Sequence, residues 1–200
     1  MPRSQEANQA IREARKQQLL NAAVGVFARR GFVGARIGDV ADAAGISQGL
    51  LYHYFSSKEE LFTALVRQAA QGMTGLLQRA LGLAVSSGER LRWLVEQELA
   101  GLGDDPHIFM VVLQAMMTDG VPDEARQVVE GLLLETGRLL RQLIAEGQAT
   151  GDIVGEDAAE TALLFGTWLQ GVAVGIAMRP QAAALPRGES LVRLFVRSGG

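Results

Sequence analysis

The chain has 200 residues, 48% of them apolar, and a formal charge of −3. That length suits one compact domain, or a small domain fused to a larger one, with ample material for a core. Cysteine is absent, which excludes disulfides, thiol catalysis and zinc sites built on thiolates, and points to a cytoplasmic protein.

The opening residues, MPRSQEANQA, lack the apolar stretch of a secretory signal. Leu19, Ala22, Ala23, Val26 and Phe27 then share one helical face, and Gly31 stops that helix. Ile37, Val40, Ala41 and Ala44 make a short second helix ended by Gly45. Ser47 is placed to cap a third, Gln48 to Phe55, about 12 Å long at ~1.5 Å per residue and comparable to the width of a DNA major groove. At helical spacing Leu51 and Phe55 face inward, while Gly49, Leu50 and His53 point outward, flanked by Gln48, Tyr52 and Tyr54. Ser57 with Glu60 reads as a capping box that opens a long fourth helix through Ala80.

Further helices are expected near 89–101, 106–118, 123–146, 156–178 and 188–198, separated by Gly- and Pro-marked breaks. Nothing alternates like a strand, so the expected class is all-α. Residues 1–58 hold eight Lys/Arg against four Asp/Glu, while residues 59–200 hold eleven against eighteen. A basic N-terminal module on an acidic body suits a nucleic-acid binder.

The run from Lys16 to Phe62 resembles the DNA-binding domain of the TetR family along its full length. The resemblance is carried by Ala22-Ala23, Phe27, Gly31-Phe32, Asp39-Val40-Ala41, Ala44-Gly45-Ile46-Ser47, Gly49, Leu51-Tyr52, Phe55 and Ser57-Lys58-Glu59. It implies a helix-turn-helix domain at 12–72, with the motif itself at 36–55. A C-terminal bundle at 73–200 would bind a small effector and form a homodimer. By the same resemblance Ser47, Tyr52, Tyr54 and Lys58 grip phosphates, and Gln48, Gly49, Leu50 and His53 approach bases. Two positions depart from the family pattern. Ala35-Arg36 stands where Thr-Thr is common, exchanging a hydroxyl cap for a guanidinium and a longer, ionic phosphate contact. Leu50 stands where threonine is usual; it either packs on a thymine methyl or simply shields the helix.

Later residues divide between two roles. Trp93, Phe109, Met110, Leu113, Met116, Met117, Phe165 and Trp168 either line an effector pocket or form core, with Met116-Met117 the leading pocket candidates. Their scarcity of charge favours a lipophilic effector. Ala162, Gly166, Gln170, Gly171 and Gly175, with Leu191, Leu194 and Phe195, suit a close-packed dimer interface. Thr161 to Met178 are eighteen uncharged residues, at the edge of membrane-spanning length. Thr167, Gln170 and the lack of flanking aromatic and basic belts favour a buried interface helix over a membrane span.

Enzyme readings are weaker. Gly45 to Gly49 spells G-x-S-x-G, yet a helix rather than a strand precedes it. His107 follows Asp104-Asp105-Pro106, an ordinary helix start with no second histidine ligand, so neither metal nor cofactor is expected. The rival from another class is a ligand-binding bundle whose helix-turn-helix no longer binds DNA. The expected mechanism is repression: a dimer on a near-palindromic operator, released when effector binding shifts the fourth helix. Activation is compatible with the same residues.

Overall fold

The computed structural model describes residues 5–105, 107–178 and 187–197. These form α1 (Gln5–Gly34), α2 (Ile37–Ala43), α3 (Gln48–Tyr54), α4 (Lys58–Gly82), α5 (Ser87–Asp104), α6 (His107–Met117), α7 (Asp123–Thr150), α8 (Ala158–Met178) and α9 (Gly188–Val192). The all-α class holds, since no strand occurs among the described residues beyond a lone antiparallel bridge, Ile153 to Val196. Pro106 and the break from Pro180 to Pro186 lie outside the described residues.

Two compact units result. One holds the described residues up to Gln68 together with Val111–Val129; the other holds Ala69–Met110 and the described residues from Glu130 on. The division falls within α4, α6 and α7. The end of α6 and the start of α7 bond within the first unit. Arg67 pairs with Glu124 at 2.6 Å, and Gln114 donates to the carbonyl of Phe27 at 3.0 Å.

In the first unit, the break at Gly31 is real: its φ of 69° interrupts α1, a conformation that costs other residues ~1–2 kcal/mol. Helix ends leave carbonyls unpaired, and side chains distant in sequence supply the donors here. Gln114 serves Phe27, while the Lys58 ammonium serves Phe32 at 2.9 Å and Ala35 at 3.1 Å. Phe27, Phe32 and Phe62 pack together beneath this break.

The second unit is a helical bundle around Leu91, Leu94, Val95, Leu143, Ile144, Ile153 and Phe165, all nearly or fully buried. Ser86 caps α5 and shares a capping box with Glu89. α9 is shorter than the helix expected at 188–198. Beyond Val192 the chain bonds to the α7–α8 loop instead, with Val154 N–H donating to Phe195 and Arg197 N–H to Asp152, each at 2.9 Å. By length and composition α8 could cross a membrane. Its inner side, Ala162, Phe165, Ala173 and Ile176, instead lies in this chain's own core.

Candidate nucleic-acid interface

The turn between α2 and α3 is fixed by backbone chemistry. Gly45, with φ 65°, lets the Gly45 and Ile46 amides fold back onto the carbonyls of Asp42 and Ala41 at 3.1 and 3.0 Å, the Schellman closure of a helix end. Ser47 follows immediately, and its Oγ accepts from the Leu50 amide at 3.2 Å. This fixes α3 at a set angle, with Leu51 and Phe55 at 0% and 1% exposure holding it from beneath. The G-x-S-x-G pattern is therefore a helix-turn-helix in which Ser47 is a cap, preceded by a helix.

Gln48, Gly49, Leu50, Tyr52 and His53 are exposed together on the outer side of α3. They are small, polar or aromatic, as contact with base edges and phosphates requires. Gln48 is less free than its exposure suggests. Its side-chain amide rests beside Gly38 of α2, where a Cβ would come within 2.6 Å of Nε2. Tyr54 is half-buried, and its ring meets His53 edge-on at 5.5 Å between centroids.

At the start of α2 the guanidinium of Arg36 is exposed and caps nothing, since it carries donors only. Asp39 does the bracing that a hydroxyl cap would have done. Its carboxylate accepts from the Arg36 amide at 2.9 Å and pairs with Arg30 at 2.9 Å. Sequence reasoning missed this brace, although an Asp at the third helical position was its signal.

At the start of α4, Ser57 accepts from the Glu60 amide at 3.1 Å, which is half of the expected capping box. The other half is displaced by one residue. The Glu60 carboxylate reaches the Ser56 amide at 2.7 Å and the Ser56 hydroxyl at 2.6 Å. The Ser56 hydroxyl, then its amide, then the charge of Lys16 hold that carboxyl below its usual pKa. Lys58, expected to grip a phosphate, also has partners within the unit. Two of its three N–H donors go to the Phe32 and Ala35 carbonyls, and the ammonium sits 4.4 Å from the centre of the Phe32 ring. The same positive charge that suits a phosphate is engaged inside the unit, because α4 begins beside the broken end of α1.

The expected pocket residues fall in both units. Met116 and Met117 end α6 in the first unit at 39% and 76% exposure, whereas Trp93, Phe109, Phe165 and Trp168 belong to the second. Leu113 and Met110 are half-buried. Phe165 is fully buried and packs edge-on against Phe195, with Trp168 tilted beside both. The interface set also splits. Ala162 and Phe195 are core of their own chain rather than surface, and Gly166 approaches Leu140 of α7. The side chain of Leu191 lies outside the described residues. Gln170, Gly171, Gly175 and Leu194 remain open, in line with exposed Leu163, Leu164 and Met178 on α8.

Comparison with known proteins adds a family. Residues 19–65 match the model of bacterial regulatory proteins of the tetR family. The HTH-type transcriptional repressor KstR2 of Mycolicibacterium smegmatis is 30% identical over 146 residues, 69% of this chain and 67% of that protein. The HTH-type transcriptional activator FasR of the same organism is 37% identical over 93 residues, only 46% of this chain and 42% of that protein. Among solved structures, FadR of Bacillus subtilis in complex with stearoyl-CoA superposes with a TM-score of 0.73 at 22% identity, covering 89% of this chain and 96% of that one.

Proposed function

Because this chain belongs to the TetR family of bacterial regulatory proteins, we propose that it is a cytoplasmic, ligand-released transcriptional repressor that binds a near-palindromic operator as a homodimer. The observation that carries this reading is α3. Its buried Leu51 and Phe55 fix it from below, while Gln48, Gly49, Leu50, Tyr52 and His53 are exposed on the side that would enter a major groove. In this reading residues 12–72 are the DNA-binding domain and residues 73–200 bind effector and partner. Ser47, Tyr52, Tyr54 and Arg36 contact phosphates, and Gln48, Gly49, Leu50 and His53 approach bases. Lys58 acts mainly by holding α4 to the end of α1.

Dimerisation has two supports. One seven-residue α3 reads too few base pairs alone, and two-fold symmetry doubles the readout. The open stripe of α8, Leu163, Leu164, Gly171 and Gly175, offers an apolar face low enough for a second copy to approach closely. The half-buried Trp93, Phe109 and Trp168, packed against the core of the second unit, favour a lipophilic effector. FadR of Bacillus subtilis, with the same fold, was solved with stearoyl-CoA.

The experiment is selection from a random-sequence DNA pool, followed by sizing of the complex. An enriched inverted repeat carrying two chains, or an even number, supports the reading; no enriched motif at moderate salt refutes it. The likeness to the activator FasR keeps activation as a second reading. A reporter driven from the selected site, with the gene present or deleted, decides the sign.

A further inference from the structure

The family match begins at residue 19, but α1 begins at Gln5. The turns before residue 19 are mostly polar and largely exposed. One side of them faces α3: Asn8, Gln9, Arg12, Glu13 and Lys16 line, with Tyr54, an open cleft of about 380 Å³. Asn8, Arg12 and Lys16 are four residues apart and so share one face of the helix.

These cations differ in how far they are engaged. Lys16 lies 5.4 Å from the centre of the Phe55 ring, and its charge is felt by Glu60. Arg15 donates to Gln18 at 2.9 Å. Arg12 is exposed and has no hydrogen bond or ion pair among the described residues. Its five N–H donors match a phosphate's oxygens. The Tyr54 ring on the opposite wall also meets edge-on the ring of His53, which stands on the outer side of α3.

We propose that this cleft is a phosphate seat, in which Arg12, with Asn8 and the Tyr54 hydroxyl, holds the DNA backbone beside the groove that α3 enters. The proposal rests on the DNA-binding reading above and extends its footprint by one phosphate per half-site. Glu13 shares the cleft and opposes an anion, so the seat is tuned below its full strength. Removing the cation and removing the anion should therefore act in opposite directions.

The test uses the full-length protein and the inverted repeat recovered by selection. Arg12→Gln should weaken binding and shallow the logarithmic salt dependence by about 0.9 per phosphate, or nearly two for a dimer. Glu13→Gln should tighten binding at low salt. Arg92→Gln, which removes an exposed charge from α5, is the control for net charge. Phosphate ethylation interference locates the contact. In the wild type, ethylation at one phosphate in each half-site should block binding, and that one position should cease to matter in Arg12→Gln. An unchanged interference pattern and salt slope in Arg12→Gln would overturn the seat while leaving the operator reading intact. Failure of the wild type to select any motif would sink the operator reading itself, and this proposal with it.

Discussion

Lys58→Met separates two roles for one side chain. Methionine keeps the length and apolar stem of lysine but removes the ammonium that serves the Phe32 and Ala35 carbonyls. Hydrogen bonds from a charged donor contribute ~1.5–3 kcal/mol each when buried. This side chain is half-buried, so water replaces part of the loss. Adding ~0.5–1 kcal/mol for the ammonium over the Phe32 ring, the substitution should cost about 2–3 kcal/mol. A chain of this size loses ~2–4 °C of Tm per kcal/mol, which gives a drop of roughly 5–10 °C. Calorimetry on DNA-free protein reads that directly. Operator affinity should fall too, with a salt slope close to wild type, because the damage is to the placement of α2 and α3. If Lys58→Met melts with the wild type while the salt slope falls by about one unit per contact, Lys58 is a phosphate grip and the positioning argument is wrong.

Three further outcomes are expected. Gly38→Ala places a methyl against the Gln48 amide; the flexible side chain should swing outward, changing base preference at one position per half-site with little loss of stability, as repeated selection on the variant would show. Gly171→Leu adds bulk to the open stripe of α8, where overpacking between two copies costs ~1–3 kcal/mol; sedimentation should find folded monomers with weak operator binding, and an unaltered dimer would move the interface elsewhere. Burial raises the Glu98 carboxyl from 4.5 to about 7, so the folded state holds its proton more tightly than the unfolded one. Stability should then fall by up to about 3 kcal/mol as pH rises from 4.5 to 7, and urea midpoints at pH 5 and 8 should diverge in the wild type but converge in Glu98→Gln.

What could be read from the sequence was local. Gly45, Ser47, Leu51 and Phe55 act within one or two helical turns, and their spacing alone dictates a capped, amphipathic α3. The same holds for the stop at Gly31 and the cap at Ser57. Bonds between residues far apart in the chain left no such mark. Lys58 serves carbonyls 23 and 26 residues away, and Gln114 serves one 87 away; in the sequence they are merely a lysine after a cap and a glutamine in an apolar helix. Apolar stripes fail for a different reason. Ala162, Phe165 and Phe195 obey the same periodicity whether the face they build meets its own chain or another. Only the fold decides: it turns them inward and leaves Leu163, Leu164 and Gly171 outside. Placing a residue on a helix therefore needs only its neighbours, whereas assigning it to core, pocket or partner needs the rest of the chain. That is why the capped, amphipathic form of α3 could be read to the residue, whereas for α6 and α8 only the helix could be read and not which way each side chain faces.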